Sequence, residues 1–269
     1  MVDTKDVIIK VENLKKTFDG RVVLKDINLN IHRGETMVIM GGSGCGKTTL
    51  LRHLIGAMKP DKGRVVFMGH DLNTLGEDDM DTIRKKFGML FQSAALFDSL
   101  TVGQNIALPL REHTKLDRKI INIIVKMKLE LVGLRGFENL MPSQLSGGMK
   151  KRVGLARAIV MDPEVVFYDE PTSGLDPVMT AVIDKLVVDL SKKLNITSIV
   201  VTHDMKSVFR ISDRVAMLDK GEILQIGTAE EIQKSRNPVI RQFVAGEVDG
   251  PVQFFQQGDN YLEHLTDEF

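Results

Sequence analysis

The sequence predicts an α/β fold built on a mainly parallel sheet, and three observations carry that expectation. Three short apolar runs, Thr36–Met40, Val165–Tyr168 and Ile196–Val201, read as strands buried on both faces, as the inner strands of a parallel sheet must be. Each run leads into a polar motif and then into a helical stretch, the βαβ rhythm. Those stretches carry apolar stripes at helical spacing. One follows Lys47 (Leu50, Leu51, Leu54, Ile55, Met58), and another follows Asp176-Pro177 (Val182, Ile183, Leu186, Val187, Leu190, Leu194).

The remaining elements fall around this frame. Ile27, Leu29 and Ile31 alternate with polar residues, which predicts a half-buried strand. Val65-Val66-Phe67, between Gly63 and Gly69, predicts another. Asp176 has the side chain of an N-cap and Pro177 suits a first helical position. Between Gln92 and Arg157 strand patterns fade and helical ones dominate, so residues 93–156 are expected to form a helical subdomain inserted between core segments 1–92 and 157–246. After Gly246 the pattern breaks at Asp249-Gly250-Pro251. Residues 247–269 then form a tail with Phe254, Phe255, Tyr261 and Leu265 among polar residues, expected to dock on a partner chain and stabilise a dimer.

Composition narrows the classes of function. Lys+Arg and Asp+Glu are both 36 in 269 residues, so net charge gives no support to nucleic-acid binding. No apolar run approaches the roughly 18–20 residues of a membrane helix. The start, Met1–Asp6, lacks the basic and apolar regions of a signal peptide, and the single cysteine, Cys45, has no intrachain partner. The expectation is a cytoplasmic chain that reaches a membrane only by docking on other subunits.

Four motifs carry chemistry. Gly41-Gly42-Ser43-Gly44-Cys45-Gly46-Lys47-Thr48 fits G-x-x-x-x-G-K-[ST], after a strand and before a helix. Glycines let backbone N–H groups turn toward phosphate oxygens, and the helix N-terminus favours an anion. Lys47 would bridge the β- and γ-phosphates and the Thr48 hydroxyl would ligate Mg²⁺. Val165–Tyr168 ends in Asp169-Glu170, two carboxylates where ligands bind at the ends of parallel strands. Asp169 would hold Mg²⁺ and Glu170 would act as general base on water. Leu145-Ser146-Gly147-Gly148-Met149 opens a helical stretch, Lys150–Met161, and offers a second anion site. His203 follows Ile196–Val201, where it can meet a γ-phosphate or Glu170; Gln92 likewise follows an apolar stretch.

In their order, these pieces resemble the ABC (ATP-binding cassette) ATPase family over nearly all of residues 7–240. Gly41–Thr48, with Thr49 beside it, is similar to Walker A, Val165–Asp169 to Walker B and Leu145–Met149 to the LSGGQ signature. Gln92, Ser173–Asp176 and His203 are similar to the Q-, D- and H-loops, and Phe18 stands where the family places an aromatic that stacks on adenine. The resemblance implies a P-loop NTPase of ABC type, with a RecA-like core, an antiparallel β subdomain and a helical subdomain. It implies ATP and Mg²⁺ as ligands. The nucleotide residues would be Phe18, Gly41, Gly42, Ser43, Gly44, Cys45, Gly46, Lys47, Thr48, Thr49, Ser146, Gly147, Gly148 and Asp176. The metal residues would be Thr48, Gln92 and Asp169, and the catalytic residues Glu170, His203 and Gln92. It also implies a head-to-tail dimer in which Ser146 and Gly148 serve the partner's nucleotide. Met149 stands in place of the usual Gln, and Phe18 in place of a common Tyr.

A narrower resemblance rests on Leu108–Thr114, Met141–Met149 and the tail around Asp249–Val252. These are similar to the ATPase subunits of Mla-type (maintenance of lipid asymmetry) phospholipid transporters, a group that includes organic-solvent-tolerance and Mkl-type ATPases. It implies work at the cytoplasmic face of the inner membrane, a membrane permease, an MCE-domain lipid-binding protein and a small STAS-domain protein as partners, and no nucleic acid. The stretch Ala94–Phe97 through Leu108–Leu110 offers apolar residues for a permease helix. The alternative is a non-transport ABC ATPase that regulates cell division or envelope processes.

Overall fold

A computed structural model describes residues 6–252. The expectations for Phe254, Phe255, Tyr261 and Leu265 lie outside the described residues. The chain divides into two compact units, Met1–Ile232 and Gln233–Phe269.

The first unit holds two sheets. β1 (Val7–Phe18) and β2 (Arg21–His32) pair antiparallel, and β4 (Lys62–Phe67) and β5 (His70–Asp71) extend the sheet in the order β2-β1-β4-β5. Every pairing in it is antiparallel. On β2 the buried residues are Leu24, Ile27, Leu29 and Ile31. Leu24 and Ile27 are three apart, so simple alternation would put them on opposite faces. Asp26, at φ 48°, takes up the extra residue beside a register shift, and both side chains stay inside.

The second sheet runs β10-β9-β3-β8-β7-β6. Its strands are β3 (Thr36–Met40), β6 (Phe87–Leu90), β7 (Val165–Asp169), β8 (Thr197–Thr202), β9 (Arg214–Asp219) and β10 (Glu222–Gly227). All pairs are parallel except β9 with β10. That hairpin turns at Lys220 and Gly221, both at positive φ as a primed two-residue turn requires. β3, β7 and β8 are the three expected apolar runs, within a residue at each end, and β3 and β8 are buried throughout. The sheet register decides where the motifs emerge. Met40 pairs with Thr202, Asp169 with Val201, and Leu90 with Tyr168. Gly41, His203, Glu170 and the segment before Gln92 therefore leave the sheet along one edge.

α1 (Lys47–Leu54) contributes Leu50, Leu51 and Leu54 to a core that joins Ile9, Leu29 and Phe67 of the antiparallel sheet to Ile39, Phe167 and Ile199 of the parallel one. Phe87 stands edge-on to both Phe67 and Phe167, at centroid distances of 4.7 and 5.2 Å, within the range for favourable aromatic pairs. α1 ends earlier than the apolar stripe suggested. Gly56 turns into the left-handed region at φ 67°, and Met58 lies beyond the helix. α2 (Glu77–Arg84) follows the antiparallel sheet, packing Met80 and Ile83 into the same core.

Helices α3 (Val102–His113), α4 (Arg118–Leu131) and α5 (Gly147–Ala158), with a 3-10 turn at Pro142–Gln144, occupy the stretch between β6 and β7. α3 begins with a reciprocal Thr101–Gln104 capping box and carries Pro109 inside it. α6 (Pro177–Leu194) starts as the sequence predicts, with Asp176 as cap and Pro177 first. Its buried face includes Ile183, Val187 and Leu190, whereas Val182 is exposed. α7 (Met205–Ile211) follows β8, and α8 (Ala229–Gln233) runs to the boundary between the two units.

In the second unit α9 (Pro238–Ala245) is capped by Asn237 and ends at Gly246, φ 68°. The Gln242 side chain then ties down the chain beyond it, donating to Val252 O and accepting from Val252 N at 2.9 and 2.8 Å. Among the described residues no helix is long and apolar enough to cross a membrane.

Candidate active site

The loop between β3 and α1 passes so close to β9 that only glycine fits at its start. A Cβ on Gly41 would lie 2.1 Å from Leu218 O. Gly46, at φ 109°, is the N-cap of α1 and bonds no amide through a side chain, so the N–H groups of the first turn stay free for an anion. Lys47 folds back over the loop, donating to Gly41 O and Gly42 O at 2.8 and 2.9 Å. Thr48 is exposed and Thr49 half-buried on the first turn; Ser43 and Gly44 are exposed in the loop. Cys45 is buried, and burial pushes its thiol up, against the pull of Lys47. That environment argues against a reactive thiolate.

At the end of β7 two carboxylates stand in different surroundings. Burial, and then the Glu170 charge, push Asp169 above the usual carboxylate range, while Arg52, Lys151 and Lys47 pull it down. A half-buried acid so placed, with the Thr48 hydroxyl on the exposed first turn of α1, is a hard oxygen donor set suited to Mg²⁺. Glu170 adopts φ 47°, an uncommon conformation for a non-glycine residue. Three bonds over-determine it. Its N–H donates to Val201 O (2.9 Å), and its carbonyl accepts from Ser173 N–H (3.2 Å) and Lys151 Nζ (3.3 Å). The turn aims its side chain at His203, whose Nδ1 donates to Oε1 at 2.9 Å. His203 is exposed, whereas the Glu170 side chain is only 14% exposed.

Gln92, just past β6, is exposed and donates from Nε2 to Ser173 Oγ at 3.3 Å, which brings the predicted Q- and D-loops together. Asp176 spends its carboxylate on capping α6, accepting from Val178 N and Met179 N. Ser146 caps α5 through Met149 N–H at 3.3 Å. Gly147 is exposed, and Gly148 is packed so that a Cβ would lie 2.5 Å from Met179. Phe18 ends β1 with its ring 39% exposed, and Lys16 Nζ is 5.5 Å from the ring centroid. Lys16 is itself held by Asp61 Oδ1 at 2.8 Å.

Two residues of this region escape the motif reading. Lys151 is 5% exposed and donates to the carbonyls of Gln92 and Glu170. Arg157 donates to Ala94 O and Ala95 O, both at 2.7 Å, where those residues adopt positive φ. Spacing alone does not reveal them: Gly148, Lys151, Val153, Gly154, Leu155, Ala156 and Ala158 of α5 are all buried, so the helix packs on more than one face and its lysine is not a solvated one.

A loop shaped to wrap phosphates, set beside a carboxylate pair on one edge of a parallel sheet, is the working arrangement of P-loop ATPases, and the class of this protein follows from it. Residues 24–173 match the family described as ABC transporter, and the chain belongs to that family. It is 43% identical over 258 residues to the intermembrane phospholipid transport system ATP-binding protein MlaF of Haemophilus influenzae, covering 96% of this chain and 98% of that one. The Escherichia coli K12 protein of the same name is 42% identical over 259 residues, 96% of each chain. The probable ribonucleotide transport ATP-binding protein mkl of Mycobacterium leprae is 41% identical over 94% of this chain and 73% of that longer one. Among solved structures, the dimeric ATP-binding cassette MJ0796, in a post-hydrolysis state with ADP and Pi, has TM-score 0.76 and 33% identity over 82% of this chain and 98% of that chain. CbiO1 of Clostridium perfringens has TM-score 0.80 and 36% identity over 88% and 94%.

Proposed function

We propose that this chain is the ATP-hydrolysing subunit of a phospholipid transporter, acting as a head-to-tail pair beneath a membrane permease. The observation that carries the chemistry is the Glu170–His203 contact on the sheet edge from which the Lys47 loop also departs. The phospholipid cargo is supported by the likeness to the MlaF proteins, which spans nearly the full length of both chains.

In this reading the N–H groups of residues 42–48 and the Lys47 ammonium hold the triphosphate, Lys47 exchanging Gly41 O and Gly42 O for phosphate oxygens. Phe18 stacks on the adenine. Thr48, Asp169 and Gln92 would hold Mg²⁺, which would supply positive charge to offset that of the phosphates. Glu170 accepts a proton from the attacking water at its carboxylate, and the His203 imidazole fixes that carboxylate in place. Ser146, Gly147 and Gly148, at the N-terminus of α5, and Asp176 complete the partner chain's site. Exposed Phe91 and Phe97 beside Gln92 suit the docking of a permease helix. An MCE-domain lipid carrier and a STAS-domain protein complete the proposed assembly, at the cytoplasmic face of the inner membrane.

The test is reconstitution of the chain with its membrane partners in vesicles carrying fluorescent phospholipid. Lipid movement that needs ATP and stops with Glu170→Gln supports the reading. Vigorous ATP hydrolysis with no lipid movement would refute the cargo.

A further inference from the structure

α5 carries the signature residues at its start and a buried lysine one turn further along. Lys151 is held between two segments that the sequence separates widely. One bond reaches the carbonyl of Gln92, on the segment leaving β6, and the other reaches the carbonyl of Glu170, on the segment leaving β7. The same helix holds Ala94 O and Ala95 O through Arg157, so the chain after Gln92 is pinned to α5 at two points. Glu170 is tied to α5 by Lys151, one of the three bonds, with Val201 and Ser173, that hold its left-handed backbone. Burial draws the Lys151 ammonium down, and the Asp169 and Glu170 charges oppose that pull. A buried amine of this kind is retained only where its donors are matched.

We propose that Lys151 is a positioning residue for hydrolysis, clamping the Gln92 and Glu170 main chains to the signature helix so that the water-activating carboxylate is aligned only when α5 is seated against the core. This rests on the reading of Glu170 as general base. It follows that a movement of Ser146 at the head of α5 is felt at Glu170 through one side chain, with no change in the Lys47 loop.

Three variants of the full-length chain test the clamp, measured as ATPase rate at saturating ATP beside binding of a fluorescent ATP analogue and a thermal melt. Lys151→Met keeps the length of the side chain and removes its donors. It should lower kcat about 10- to 100-fold, the scale of a roughly 1 Å misplacement, with ATP affinity within about twofold of wild type. Lys151→Arg, which can reach both carbonyls, should recover most of the rate. The proposal is overturned if Lys151→Met turns over within about twofold of wild type, if rate and affinity fall by the same factor, or if Lys151→Arg is no better than Lys151→Met. Should methionine at this buried position unfold the chain, Lys151→Leu, which also lacks donors, takes its place, and a kcat within about twofold of wild type again overturns the clamp. Glu170→Gln, run in parallel, keeps the two ideas apart. A dead Glu170→Gln beside a normal Lys151→Met removes the clamp alone, whereas a normal Glu170→Gln removes the general base and the clamp with it.

Discussion

Two neighbouring residues, Lys47 and Cys45, show how one loop sets opposite chemistry. Lys47 is held by two carbonyls that ATP must displace, and its loss takes away both the charge and the fold-back. Lys47→Ala is expected to abolish ATP binding, measured by nucleotide fluorescence, with the melt little changed. Cys45 sits with its sulphur 2.8 Å from where a Gly41 Cβ would be, inside the loop, and burial raises its thiol. Burial disfavours its charged form, so thiolate forms less readily than in the unfolded chain. Iodoacetamide should label Cys45 at least about tenfold more slowly than it labels the unfolded chain at pH 8, with the rate still climbing at pH 9. Glu170→Gln should bind ATP normally and lose about 10²–10⁴-fold in turnover, the usual cost of a general base; a rate near wild type would assign the base elsewhere.

Among the elements, β1 and α5 each depend on a contact that composition hides. The end of β1 is fastened by Asp61, which accepts from Lys16 Nζ and Thr17 N–H and is thereby held below the usual carboxylate range. A depressed folded pKa means stability present above the unfolded value, near 3.8, and lost as pH falls through the folded one. Melts of wild type and Asp61→Asn should therefore differ at neutral pH, with the difference shrinking only as pH falls below about 3.8. α5 passes so near β6 that a Cβ on Gly88 would lie 2.3 Å from Ala158 O. That oxygen is backbone and cannot swing away. Gly88→Ala should cost about 1–3 kcal/mol, a loss of a few degrees to about 10 °C in Tm. Strands such as β3 and β8 were legible because both faces are apolar, and α6 because Asp176-Pro177 announces its start. β9 and β10 were not legible, since β9 takes its place from a parallel neighbour, β3, 177 residues away along the Thr36–Asp213 bond, and β10 pairs with β9. The short β5 was set by its partner strand, whereas the end of α1 follows a local signal, the left-handed Gly56.

For the whole molecule, the residues that carry phosphate chemistry were readable because each motif follows a strand and the register brings those strand ends level. His203 was expected to meet either a γ-phosphate or Glu170, and its Nδ1 lies 2.9 Å from Glu170 Oε1. Lys151 and Arg157 were not foreseen, because a cation on a helix reads as solvated until the buried face of that helix is known. Coupling to a membrane partner belongs to this scale. Phe97 is 52% exposed beside the Arg157-pinned segment, and Phe97→Asp should weaken co-purification with the permease while leaving ATP affinity unchanged. Phe18, at the tip of the antiparallel sheet, has a wider consequence. Its ring lies beside a cation, Lys16, and a ring face does not distinguish one purine from another. With that residue in its proposed role, GTP should be consumed with a kcat/KM within about tenfold of ATP. The fuel would then be chosen by the cell's own nucleotide supply, and the protein would run on whichever purine triphosphate is most plentiful around it.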